Sequence, residues 1–237
     1  MGTSKRRRAE IERLKRITTG LRNYRIYHGT VEPVAQRILS DETLRPRGGQ
    51  ASLYTENPSR RDCVYLTDLY GVVYGFRATI NALPPEDSGV KFYRAAVVEM
   101  DYTKLDRGNL LADEDFMAAA AWATKNMNGC SKEEWKELVR HYATHDENAS
   151  DLASESLLKH GTVAHRGPIP RSAITRIALV SAPMVSALRY RDYKDESLWE
   201  IIANPTPEDL TRTQRFQAML THQIFDERHP EVQVISL

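Results

Sequence analysis

The stretch Ile26–Leu39, IYHGTVEPVAQRIL, changes period in its middle. From Arg25 to Thr30 the residues alternate and are β-prone, whereas Val34, Ala35, Ile38 and Leu39 recur at helical spacing, so the segment predicts a strand, a turn and a helix. Gly29 falls where the strand gives out. A residue without a side chain there lets backbone approach a ligand closely, and His28 and Thr30 beside it offer a hydrogen-bonding ring and a hydroxyl to the same space. The competing reading is a histidine satisfied by backbone at a strand end.

The same order recurs further on. Cys63–Thr67, CVYLT, reads as a short buried strand, and DLYGVVYGFRATINAL behind it reads as a helix. The loop RPRGGQASLYTENPSRRD before that strand carries Arg45, Arg47, Arg60 and Arg61 with Gly48 and Gly49 among them, which predicts a mobile basic segment. A third strand is expected in FYRAAVVEM, Phe92 to Met100, followed by an acidic loop, DYTKLDRGNLLADEDF. Helices are expected from Phe116 to Thr124 and after Ser131, whose hydroxyl and Glu134 have the spacing of a capping box. Two late strands, Thr162 to His165 and Ile174 to Val180, flank a turn at Gly167-Pro168-Ile169-Pro170.

The flanks read as helical. Residues 4–21 form a basic amphipathic pattern with Ile11, Leu14, Ile17 and Leu21 on one face. Thr206, with Pro207 at the first helical position and Asp209 at the third, opens a helix carrying Leu210, Phe216, Met219, Leu220 and Ile224. The expected fold class is α+β, organised as a basic N-terminal helix over 1–22, a core domain over 23–182 and a helical extension over 183–237.

With 237 residues and 41% hydrophobic content, the chain can build one sizeable core. Lys and Arg number 33 against 32 Asp and Glu, so net charge exerts no global pull toward nucleic acid or membrane. Cys63 and Cys130 lie in different elements and outside any CxxC pair, which fits a reducing, cytoplasmic setting. No stretch reaches the length of a membrane span, so no membrane partner is expected.

YHGT at the end of one strand, VYLT on the next with a tyrosine-bearing helix behind it, and a late strand running into GPIP together resemble the ADP-ribosyltransferase fold of the poly-ADP-ribose-polymerase and diphtheria-toxin type. The likeness covers residues 24–181. It implies a split mixed β-sheet core, NAD as co-substrate, and mono-ADP-ribosyl transfer to a macromolecular acceptor, protein or nucleic acid, in a toxin or phage-conflict role. By this resemblance His28 hydrogen-bonds a ribose hydroxyl of NAD, Gly29 meets the nicotinamide carboxamide through its backbone, and Thr30 lies beside them. Tyr65 would stack on the nicotinamide, and Tyr74, with Tyr70 as competitor, would close the pocket. The chemistry asks for such a set: breaking the nicotinamide–ribose bond creates positive charge on the sugar, so the ring and ribose must be held and a negative group placed nearby.

The family supplies that negative group as a glutamate on a late strand, and here the sequence departs from it. The positions ahead of GPIP read Thr162, Val163, Ala164, His165 and Arg166, none of them acidic. The replacements available are Glu155 in DLASESLLKHG and Asp113, Glu114 and Asp115 in LLADEDF. The expected catalytic set is therefore His28, Tyr65, Glu155 and Glu114. Against this, Glu155 reads equally as a solvated helical charge, and the acidic triplet as carboxylates complementing a helix N-terminus.

Two other readings compete. An RNA 2'-phosphotransferase shares the fold and an HGT motif and relies on arginines, for which Arg37, Arg45, Arg47 and Arg60 are candidates, but its basic N-terminal lobe has no counterpart here beyond one short helix. A non-catalytic NAD- or ADP-ribose-binding module would explain the missing glutamate. His141 and His145 have helical i, i+4 spacing, yet Tyr142 stands where a zincin needs glutamate, so no metal is expected. His165 and Arg166 read either as phosphate contacts or as exposed edge residues. GxGxxG, Walker and GxSxG patterns are absent from the sequence, and Trp122, Trp135 and Trp199 read as helix packing.

Overall fold

The computed structural model describes residues 25–48, 59–68, 70–82, 84–90, 93–117, 131, 134, 149–181, 224–226 and 232–237. The expected helix over 4–21, most of that opened by Thr206, His141, His145, Cys130 and the three tryptophans lie outside them. In chain order the elements are β1 (Arg25–Val31), α1 (Glu32–Asp41), β2 (Thr43–Leu44), β3 (Cys63–Thr67), α2 (Gly71–Asn81), β4 (Ala95–Asp101), β5 (Leu110–Ala112), α3 (Ala149–His160), β6 (Thr162–Arg166), β7 (Ile169–Pro170), β8 (Ile174–Val180) and β9 (Val232–Ser236). The fold class is α+β, and the pairs β2–β7, β3–β6, β5–β6, β4–β8 and β8–β9 are all antiparallel.

The chain divides into two compact units. One comprises Met1–Arg25, Thr43–Asp68 and Asp101–Ala173; the other comprises Ile26–Glu42, Leu69–Met100 and Ile174–Leu237. Both units draw segments from the expected core over 23–182, because strand pairing groups segments by register and not by proximity in sequence. We refer to them as the Tyr65 unit and the His28 unit.

In the His28 unit the strands run in the order β1-β4-β8-β9. Ala95 through Met100 of β4 are all buried, the pattern of a strand covered on both faces. Val72 and Phe76 of α2 pack with Ala95, Val97, Ala178, Val180, Ile224 and Phe225, and Tyr27 lies against this cluster. The strand-to-helix switch read in IYHGTVEPVAQRIL is present: Pro33 sits in the first turn of α1, where its missing N–H costs nothing, and Ala35 and Ile38 are the buried stripe.

A charge lies inside this unit. Glu99 of β4 is 1% exposed and stands opposite Arg176 of β8. Arg176 Nε donates to Glu99 Oε1 at 2.9 Å and Nη2 to Oε2 at 2.6 Å, while the Thr175 hydroxyl donates to Oε1 at 2.6 Å. The guanidinium also donates to the Phe225 carbonyl and Asp226 and lies 4.9 Å from the centre of the Phe225 ring. Hydrogen bonding to Glu99 holds the Arg176 pKa well above its ordinary value.

Three elements differ from the sequence reading. The acidic loop after β4 contains two tight 3-10 turns, in which Asp101 and Asp106 accept from the backbone N–H of Thr103 and Gly108, followed by β5. Asp101 and Asp106 thus serve local turns, and a three-residue strand is too short to show a period. The GPIP turn has Gly167 at φ +77°, but Ile169 and Pro170 pair with Leu44 and Thr43; proline is tolerated there because the ladder is only two residues long. The extension over 183–237 is not wholly helical, since the β-branched run VQVIS forms β9 on β8. The capping box is as read: the Glu134 N–H donates to Ser131 Oγ at 3.2 Å, and the Ser131 N–H donates to Glu134 Oε2 at 2.8 Å.

Candidate functional site

In the Tyr65 unit three strands lie in the order β5-β6-β3. Register sets Tyr65 opposite Ala164, and Ala164 opposite Leu111, so one face carries these three side chains in a row with Cys63 beside them. Ala164 is one of the positions at which the expected glutamate is missing. Its methyl group leaves room for the neighbouring phenol ring.

A carboxylate reaches that ring from the next strand over. β5 ends at Ala112, Asp113 turns the chain, and Glu114 begins a helical turn over 114–117. The Tyr65 hydroxyl donates to Glu114 Oε1 at 2.7 Å and accepts from the Arg60 backbone N–H at 2.7 Å. Arg60 Nε lies 2.5 Å from the same Glu114 oxygen, and its Nη2 donates to the Ala112 carbonyl at 2.8 Å. Two segments distant in sequence, 60–65 and 112–114, therefore meet around one buried carboxylate, 8% exposed.

The electrostatics follow from the contacts. Burial, reinforced by Glu114, pushes the Tyr65 hydroxyl well above its ordinary pKa, so it stays protonated and serves as a donor. Burial alone would lower the Arg60 pKa, but Glu114, Cys63 and Tyr65 together outweigh it and hold the pKa above its ordinary value. The Cys63 thiol is pushed up to about 12 by burial, which leaves it unreactive near neutrality.

Asp113 has a structural part in this cluster. Its side chain accepts from the Asp115 N–H at 2.9 Å, its carbonyl accepts from the Met117 N–H at 3.0 Å, and its own N–H donates to Ser156 Oγ at 3.1 Å, which in turn donates to the Thr162 carbonyl. Asp113 is thus the N-cap of the turn that carries Glu114, as the helix-terminus reading of the acidic triplet anticipated. Burial pushes its carboxyl up to about 7. A raised pKa means the folded protein holds the proton longer than the unfolded chain, so the associated stability is complete below the usual carboxylate range and is lost as pH rises through about 7. Asp113→Asn, which still caps, is expected to remove this trend; thermal melts of both proteins at pH 5 and pH 8 measure it, and parallel behaviour would refute it.

Glu155 lies buried on α3, which packs against β5 and β6, so both acidic candidates belong to the Tyr65 unit. It is not the solvated charge of the alternative reading. His165 is also buried, opposite Leu110, with Nδ1 3.3 Å from the Gly167 carbonyl. Burial holds its pKa below the ordinary value and favours the neutral ring. Arg166 is exposed, 3.6 Å from Asp62.

The other candidates lie in the His28 unit. Tyr27 and Gly29 face α2: a Cβ on Gly71 would lie 2.5 Å from the Tyr27 Cβ, and a Cβ on Gly29 would lie 2.2 Å from the Gly75 nitrogen and 2.4 Å from the Gly71 carbonyl oxygen. By strand alternation His28 and Thr30 belong to the opposite face. His28 is partly exposed and Thr30 buried. Helix packing by itself therefore requires a glycine at position 29, besides the ligand approach that the sequence suggested, and GVVYG in α2 is the signal that sequence reading passed over. Tyr70 and Tyr74 bracket the start of α2 with their rings in edge contact at 6.1 Å.

The convergence of Arg60 on Glu114 also went unread, since no local pattern announces an ion pair between residues so far apart. Among the described residues no group of three or more His, Cys, Asp or Glu side chains is arranged to hold a metal, and no helix is long and apolar enough to cross a membrane. No protein-family model matches the chain, and comparison with curated proteins gives no match.

Proposed function

We propose that the protein is an NAD-dependent mono-ADP-ribosyltransferase in which Glu114 is the carboxylate that faces the developing charge on the nicotinamide ribose. The observation that carries this reading is the delivery of a buried, ion-paired carboxylate to the hydroxyl of Tyr65, the residue that the family resemblance assigns to nicotinamide stacking. Ala164 vacates the family's usual strand position, and Glu114 reaches the same tyrosine from the end of β5. The hydrogen bond from Tyr65 favours Glu114 over Glu155.

The residues of this chain then have distinct tasks. Arg60 pairs with the Glu114 carboxylate and, through its backbone N–H, fixes the Tyr65 hydroxyl. Tyr65 orients the carboxylate while its ring offers a flat apolar face. His28 and Thr30 supply polar groups on the face of β1 turned away from α2. When the bond from ribose C1' to nicotinamide breaks, its electron pair leaves with nicotinamide; the acceptor's nucleophile bonds to C1' and gives up a proton. A preorganised negative group lowers that barrier because it needs no reorganisation as charge develops.

The test is nicotinamide release from NAD together with label transfer to macromolecules of a cell lysate. Glu114→Gln preserves volume and an acceptor for Tyr65 but removes the charge, and is expected to slow release by about a hundredfold or more. His28→Ala should lose activity while remaining folded. Full activity in Glu114→Gln would end the assignment. Release that depends on 2'-phosphorylated RNA would favour the phosphotransferase reading, and NAD binding without release would favour a binding module.

A further inference from the structure

The Tyr65 unit also gathers arginines into a platform. Three segments, 43–48 (TLRPRG), 59–62 (SRRD) and 166–171 (RGPIPR), contain six arginines, Arg45, Arg47, Arg60, Arg61, Arg166 and Arg171, against a single carboxylate, Asp62, and no lysine. They are tied side by side through backbone. Thr43 and Leu44 pair with Pro170 and Ile169, the Gly48 N–H donates to the Arg61 carbonyl at 3.1 Å, and the Gly167 N–H donates to the Asp62 carbonyl at 2.7 Å. The Arg47 guanidinium adds a bond to the Ser59 carbonyl at 2.5 Å.

Arg60 turns inward to Glu114, but Arg45 and Arg61 are exposed and the Arg166 side chain is 52% exposed. The chain as a whole carries a net charge of only +1, so this surplus is local. Segments hydrogen-bonded in this way lie about 5 Å apart, so the backbones that carry these arginines are neighbours in the Tyr65 unit. Exclusive use of arginine suits planar, bidentate recognition of phosphate, and the exposed rings of Pro168 and Pro170 add apolar faces between the charges.

We propose that this platform binds the phosphodiester backbone of a nucleic acid. A nucleic acid offers a fixed charge at every residue to an arginine-rich surface, whereas an acidic peptide does so only where its sequence happens to be acidic. The proposal stands apart from the transferase reading, because the platform acts without NAD and its test contains none.

The experiment is fluorescence anisotropy of the full chain with a labelled single-stranded RNA or DNA of about 20 nucleotides, titrated between about 50 and 200 mM salt. Wild type should bind with a steep negative dependence of log K on log salt. R45Q/R61Q/R166Q should reduce that slope by about 2, since each single-strand phosphate contact contributes roughly 0.7. These side chains are exposed and the Arg166–Asp62 pair is long, so the fold should tolerate the change. Binding of either oligonucleotide with the expected slopes supports the proposal. An unchanged slope in the folded triple variant overturns it, as does a flat slope in wild type or equal competition by polyglutamate of the same length, neither of which needs a variant.

Discussion

Gly29→Ala is expected to destabilise the protein by more than about 3 kcal/mol, a large fraction of the stability of a typical domain. The added methyl carbon would sit 2.2 Å from the Gly75 nitrogen, 2.4 Å from the Gly71 carbonyl oxygen and 2.6 Å from the Tyr74 carbonyl carbon. All three are backbone atoms of α2, which cannot swing aside as a side-chain tip can. Gly71 and Gly75 close the remaining space, the former against Tyr27 and the latter against the Ala96 carbonyl oxygen at 3.1 Å, so relief requires α2 to lift from β1 and β4 and uncover Val72 and Phe76. Circular dichroism and a denaturant melt of the purified variant measure the effect. A variant that melts like wild type but fails to use NAD would return Gly29 to the role that the sequence suggested, close approach to a ligand.

Arg176→Ala is expected to cost about 3–5 kcal/mol, because removing one partner of a buried pair leaves the other charge uncompensated. Glu99 is 1% exposed, and Arg176 supplies a hydrogen bond to each of its carboxylate oxygens. The same change frees the Phe225 carbonyl and Asp226 from the guanidinium that holds them. The double change Glu99→Leu with Arg176→Met tests the cause. If the loss arises from the stranded carboxylate, the double variant should recover most of it, since apolar replacement of a buried pair is often neutral or stabilising. Equal melting of the double and single variants would assign the loss to packing around Phe225.

The sequence disclosed the elements whose physics is local. The change of period after Thr30 gave β1 and α1, CVYLT gave β3 with the same bounds, and Ser131 with Glu134 gave a cap. What escaped it depends on register. Nothing around Glu114 says that β5 will pair with β6 and carry that carboxylate to Tyr65, because a three-residue strand shows no alternation and pairing is chosen by partners elsewhere in the chain. Nor does Glu99 announce Arg176, which only the β4–β8 register brings opposite it. Gly29 was legible as a residue that had to be small, but not as one made so by a helix, since the crossing helix lies beyond the window in which YHGT is read. The triplet at 113–115 held two roles at once: Asp113 caps, and Glu114 reaches the cluster.

The chain passes between its two units after Arg25, Glu42, Asp68, Met100 and Ala173. No contiguous fragment therefore consists of one unit alone: the last segment of the Tyr65 unit ends at Ala173, whereas the His28 unit cannot be completed during synthesis before the ribosome has passed β9. β1 and β4, made early, must wait in the nascent chain for the strand that brings Arg176 to Glu99, with apolar side chains uncovered in the interval. Long-range pairing of this kind slows folding. A stop codon placed before β8 would leave the His28 unit without the strand that pairs with β4, although every segment of the Tyr65 unit would already have been made.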